Sequence, residues 1–112
     1  MAVGFHRYET EPLRLVIEQE GVELPLEGYA KVAVSFDQHE GACHLDFLFD
    51  EGAPEVDVAN STINLHFTQE ESARFMAANA NVEVNILYQG GERAATCEGV
   101  VRVFRNLYKE VM

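Results

Sequence analysis

The sequence predicts a mainly β protein, an antiparallel β-sandwich with one short α-helix near Thr68-Asn79. Three observations carry that prediction. Apolar residues alternate with period two in segment after segment, as half-buried strands require. Clusters of Gly, Asn, Asp and Pro punctuate those segments at hairpin spacing. After Thr68 the pattern changes to that of a helix start. At 112 residues, with 47% hydrophobic side chains and no repeat or linker, the chain reads as a single domain, residues 1–112. A domain of this size buries roughly two-thirds of the surface its unfolded chain exposes, and needs no covalent staple.

In chain order, Leu13, Leu15 and Ile17 alternate with Arg14, Val16 and Glu18, and Pro12 before them suits a strand that begins at a sheet edge. Gly21 breaks the run. Val22 to Leu26 continues it as a weak strand or a shaped connector, because Pro25 cannot donate to a ladder. From Tyr29 to Phe36 the pattern is strong: Ala30, Val32, Val34 and Phe36 face one way, Lys31, Ala33 and Ser35 the other. Asp37-Gln38-His39-Glu40-Gly41 then reads as a hairpin loop. Its partner strand sets Cys43, Leu45, Phe47 and Phe49 against His44, Asp46 and Leu48. An acidic loop, Asp50 to Glu55, leads to a short strand at Val56 and Val58 and a turn at Asn60-Ser61.

The stretch from Thr62 to Phe104 organises the rest. Ile63, Leu65 and Phe67 alternate with Thr62, Asn64 and His66, and Val82, Val84, Ile86 and Tyr88 repeat the period. Between them Thr68-Gln69-Glu70-Glu71 matches a capping box, in which the threonine hydroxyl and the glutamate carboxylate satisfy orphan backbone donors. The helical run from Glu70 to Ala78 is too short to persist alone in water, so Ala73, Phe75 or Met76 must pack on the sheet. Gly90-Gly91 supplies a hairpin turn. The last strand, Arg93 to Phe104, keeps Ala95, Cys97, Gly99, Val101 and Val103 on one face, and Gly99 predicts a bulge or a close backbone approach. The tail from Asn106 fits a helical turn or an edge strand equally.

Nineteen acidic against eight basic side chains give a formal charge of −11. That charge repels phosphate backbones and anionic headgroups, so neither nucleic acid nor membrane is an expected partner. Met-Ala-Val-Gly-Phe-His-Arg at the start lacks a charged region followed by an apolar run, and the expectation is a soluble product made in the cytoplasm. Cys43 and Cys97 share the apolar parity of their strands, which reads as a reduced buried pair. The sharper alternative is a bridge between the sheets of the kind found in immunoglobulin-type sandwiches.

Residues able to do chemistry form no committed set. His39, His44 and His66 are candidate zinc ligands, but no thiol or carboxylate stands at the spacing that would complete a tetrahedral site. Asp46, Asp50, Glu51, Glu55 and Asp57 are dense enough for calcium, yet no D-x-[DN]-x-[DN]-G loop is present. Ser35, Ser61 and Ser72 lack a G-x-S-x-G elbow. The expectation is therefore a non-enzyme with no catalytic, cofactor-binding or metal residue and no cofactor.

Ser61-Thr-Ile-Asn-Leu-His-Phe-Thr-Gln-Glu-Glu-Ser-Ala-Arg-Phe resembles the strand followed by an L-T-Q-E-E-T motif in small proteins encoded among phage and prophage structural genes. Asn81-Val-Glu-Val-Asn-Ile-Leu is similar to the strand that follows there, and the glycine turn with Arg93-Ala-Ala-Thr-Cys-Glu also matches. Thr10-Glu-Pro, Val34-Ser-Phe-Asp-Gln and the closing segment Val101 to Val111 extend the likeness over most of the chain. Those proteins resemble N-terminal β-sandwich modules of phage baseplate and tail proteins. The resemblance implies an immunoglobulin-like or baseplate-module-like sandwich, synthesised in the bacterial cytoplasm and associated with the virion. It would assemble with its own copies or with other virion structural proteins. The residues themselves point to a β-edge or an exposed strand face as the contact, because Val100, Arg102 and Phe104 with Leu107, Tyr108 and Val111 carry more apolar surface than one small core covers. The alternative is a ligand-binding sandwich for a carbohydrate or divalent cation that uses the acidic Asp46 to Asp57 region. Against sugar binding, only Tyr8, Tyr29 and Tyr108 lie off the core parity as free aromatic faces.

Overall fold

Period-two alternation folds here into two facing sheets. The computed structural model describes residues 3–6, 12–38, 43–76, 78–91 and 94–104. The elements run β1 (Val3–His6), β2 (Leu13–Val16), β3 (Glu18–Gln19), β4 (Val22–Glu23), β5 (Tyr29–Asp37), β6 (His44–Asp50), β7 (Val56–Asp57), β8 (Thr62–Leu65), α1 (Gln69–Ala73), β9 (Asn79–Tyr88) and β10 (Ala94–Phe104). A five-stranded sheet has the order β1-β10-β9-β5-β6, and a three-stranded sheet the order β2-β8-β7. All pairings are antiparallel except β1 with β10, which is parallel. With β2, β8 and β7 as strands B, E and D, and β10, β9, β5 and β6 as G, F, C and C′, the connectivity is that of an immunoglobulin-like sandwich.

The inward parity of both sheets fills the space between them. Leu13, Leu15, Ile63 and Leu65 of the small sheet share one buried cluster with Val32, Val34, Val84, Ile86 and Val101 of the large one. At one end the cluster becomes aromatic: Phe67 lies 4.9 Å from Phe5, 5.5 Å from Phe36 and 5.6 Å from Phe75, centroid to centroid. Tyr88 brings a polar tip into this interior and satisfies it by donating its hydroxyl to the Pro25 carbonyl at 2.6 Å.

The capping box forms as expected. The Glu71 N–H donates to Thr68 Oγ1 at 3.1 Å, and the Thr68 N–H donates to Glu71 Oε1 at 2.9 Å. The helix is shorter than expected, however, ending at Ala73, and Asn79 already belongs to β9. Gln38 gives the reason. Expected in a hairpin loop, its side chain is instead buried and grips the backbone beyond the helix. It accepts from the Met76 N–H at 2.7 Å and donates to the Met76 carbonyl at 2.9 Å, which ties that backbone to a side chain in place of a further helical turn. Phe75 alone provides the deep anchor, fully buried, while Met76 is 59% exposed.

Other local expectations are corrected as well. Gly21 does not merely break a strand: Glu20 and Gly21 both take positive φ, 55° and 79°, forming a two-residue turn between β3 and β4. A register shift between Tyr29 and Lys31 rotates Tyr29 into the core, where its hydroxyl donates to the Asp50 carbonyl at 3.1 Å. Gly99, by contrast, pairs regularly with Val82, and an added Cβ there would meet Val82 Cγ1 at an ordinary 3.5 Å, so neither bulge nor close approach exists. Cys43 precedes β6 rather than opening it. Tyr8, Thr10, His39, Glu40, Gly41, Arg93 and the tail from Asn106, including Leu107, Tyr108 and Val111, lie outside the described residues.

Three substitutions measure these contributions by chemical denaturation. Thr68→Ala is expected to cost about 1 kcal/mol through loss of the cap. Gln38→Ala is expected to cost about 1–3 kcal/mol, because the Met76 backbone groups lose their partners in a partly buried setting and a buried side chain is removed. Leu65→Ala, at a site 1% exposed, is expected to cost about 2–5 kcal/mol. A neutral Leu65→Ala would mean that the parity of β8 is reversed.

Candidate functional site: the outer sheet face and its edges

Strand register decides which outward side chains become neighbours. Across the outer face of the five-stranded sheet, one row runs Val100, Asn81, Asp37, His44, and the next Glu98, Glu83, Ser35, Asp46. A third row is Thr96, Asn85, Ala33, Leu48, and a fourth Ala94, Leu87, Lys31, Asp50. The face is thus divided along the strand direction. One half is acidic; the other holds a shallow apolar depression around Leu48, Leu87, Ala33 and Ala94. Leu48 is 64% and Leu87 40% exposed.

In the acidic half, Ser35 donates to Asp46 Oδ1 at 2.6 Å. His44 contacts Asp46 Oδ2 through Nε2 at 3.0 Å and Asp37 Oδ1 through Nδ1 at 3.4 Å. The hydrogen bond to Asp46, and then that to Asp37, raise the His44 pKa above its ordinary 6.5. Hydrogen bonding from Ser35 in turn lowers that of Asp46. Serine, histidine and aspartate meet here, but in an order that does not make a nucleophile. Both ring nitrogens face carboxylates and the serine proton goes to Asp46, whereas a hydrolase needs the imidazole to accept it. Glu83 and Glu98 stand directly opposite each other, an unfavourable like-charge pair, and Asn85 donates to Glu83 Oε1 at 2.8 Å.

The proposed metal ligands are dispersed. His44 sits on the outer sheet face, whereas His66 lies exposed after β8. Of the acidic set, Glu51 accepts from Gln89 at 2.7 Å and Asp57 from Asn60 at 2.8 Å. Among the described residues no group of three His, Cys, Asp or Glu side chains is placed to hold an ion. Tyr29, expected as a free aromatic face, is buried and offers none to a sugar.

Cys43 and Cys97 are buried free thiols, and burial raises the pKa of each. They belong to one sheet, not to opposite sheets: Cys97 is on β10 and Cys43 adjoins β6, with β9 and β5 between. Three interstrand steps of about 4.8 Å place them about twice as far apart as the roughly 7 Å Cα separation a disulfide permits. An inter-sheet bridge is therefore excluded by topology.

Two further features border this region. At one side of the sandwich the sheets part to leave a cleft of about 300 Å³, lined in part by Leu15, Ile17, Cys97 and Val101. At the other side β6 ends the large sheet as an edge strand carrying His44, Asp46 and Asp50. Among the described residues no helix is long and apolar enough to cross a membrane. No protein-family model matches the chain, and no curated protein matches it either.

Two measurements follow from this geometry. The His44 ring, followed by NMR in the intact protein, is expected to titrate above 6.5, and Asp46→Asn to lower its midpoint. Its folded pKa being raised, the contribution of protonated His44 to stability is complete below 6.5 and disappears as pH rises through the folded value. The Asp46 contribution has the opposite sense, present above its unfolded pKa and lost as pH falls through the lowered folded one. Separately, both cysteines are expected to react slowly with a thiol reagent in the native state and rapidly once unfolded. Rapid native labelling of both would contradict their burial.

Proposed function

We propose that the chain is a non-enzymatic, phage- or prophage-encoded virion protein, a tail or baseplate module that works through protein–protein contacts. The observation that carries this reading is the divided outer face. Leu48 and Leu87 remain exposed beside Ala33 and Ala94, next to rows containing Asp37, Asp46, Glu83 and Glu98. An apolar centre bordered by charge has the composition of an association surface, and its contiguity distinguishes it from singly scattered exposed apolar residues. The likeness of Ser61-Thr-Ile-Asn-Leu-His-Phe-Thr-Gln-Glu-Glu to phage structural proteins supplies the context.

The charge of −11 opposes close packing of like copies and favours a partner with basic surface, although a homo-oligomer remains the second form the same face can build. Light scattering at several concentrations, combined with binding to individual tail and baseplate proteins from the same gene set, tests the proposal. The expected result is association that weakens with salt and that Leu48→Asp with Leu87→Asp reduces by about tenfold or more. A strict monomer that captures none of those proteins would overturn it.

A further inference from the structure

β1 covers only part of the edge of β10. Their parallel register runs from Val3 opposite Val101 to His6 opposite Phe104. Ahead of Val3, among the described residues, no strand pairs with the outer edge of β10 over residues 94–99. The Val103 N–H donates to the Ala78 carbonyl at 3.2 Å, on the β9 side. Since backbone groups alternate in direction along an antiparallel strand, Thr96 and Glu98 aim theirs at the open edge, whereas Val100, on the same side but next to the Val3–Val101 pair, already belongs to the ladder with β1. The cleft of about 300 Å³ between the sheets borders this same stretch. Leu15 and Ile17 form one wall, Cys97 and Val101 another, and the exposed Glu18, Glu20 and Glu98 also line it.

We infer that this edge is a docking site for an extended segment of another virion protein, alternating apolar and basic residues, that adds as a strand to β10 ahead of β1. The inference rests on the assembly reading and names a surface for it distinct from the outer face. Strand addition would satisfy the outward backbone groups of Thr96 and Glu98. Inward side chains of the added strand would enter the cleft against Leu15, Ile17, Cys97 and Val101. The alternate residues would point outward beside Glu98, and Glu18 and Glu20 add negative charge around the same opening, so cations are the complementary choice. A second copy of this chain does not fit. Pairing β10 with β10 would oppose acidic edges, and the inward side chains Cys97 and Val101 of the second copy are already committed to its own core.

The test titrates the full chain with an end-blocked peptide of alternating valine and lysine, with a valine–glutamate peptide as control. Amide hydrogen exchange by NMR and alkylation of the two thiols are the readouts. Docking is expected to slow exchange at Thr96 and Glu98, and to slow alkylation of Cys97 but not of Cys43. Glu18→Lys with Glu98→Lys, both exposed positions, is expected to weaken the lysine peptide by about tenfold at low salt and to reverse the preference between peptides. Equal binding of both peptides, protection confined to β6 or the outer face, or no binding would overturn the inference. A protein that assembles with virion partners while those two amides exchange as in the free chain would lose this site and keep the assembly reading. Edge protection by the lysine peptide without any virion partner would do the reverse.

Discussion

The phenylalanine cluster is the constraint on which the rest of the structure depends. Phe5 comes from β1, Phe36 from β5, Phe47 from β6, Phe67 from just beyond β8 and Phe75 from beyond α1, and they meet at centroid distances of 4.9 to 6.0 Å. Segments remote in sequence are thereby tied at one end of the sandwich. Most of the pairs are edge-on, an arrangement that adds about 0.5–1.5 kcal/mol each beyond area burial. A five-residue helix has no independent stability, so α1 exists because Phe75 is held in this cluster and Gln38 holds the chain that follows.

With the interior closed in this way, the outer surface is left to electrostatics. Opposing Glu83 and Glu98 costs stability, and the Asp37–His44–Asp46 arrangement offsets repulsion locally only while the imidazole is protonated. Such a surface is poorly suited to self-association and well suited to a cationic partner. The sheet edges differ correspondingly. β6 carries charged side chains along its length, which discourage strand pairing, whereas the β10 edge borders the cleft between the sheets, with Leu15, Ile17, Cys97 and Val101 in its walls.

The strand faces were legible in the sequence because a pleated strand exposes and buries alternate residues, and the pattern at residues 62–67 and 82–88 needs nothing beyond that local geometry. The Thr68 cap was legible for the same reason, since its donors and acceptors lie within a single turn. Tyr29 was misplaced because one bulge inverts parity upstream of it, and a bulge leaves no residue-type signal at Ala30. The two-residue turn at Glu20-Gly21 did leave a signal in its glycine, yet glutamate at positive φ is uncommon enough to conceal it.

By itself the sequence determined an acidic, mainly β fold, its alternating strands and the start of its helix, all consequences of interactions between residues near in the chain. Only the tertiary structure decided where the helix stops, that Cys43 and Cys97 cannot bridge, and which outward residues form an acidic or an apolar half-face. Those outcomes depend on strand order and register. Both are set by long-range pairing and by burial of remote side chains such as Gln38 and Phe75, for which no local pattern of residues exists.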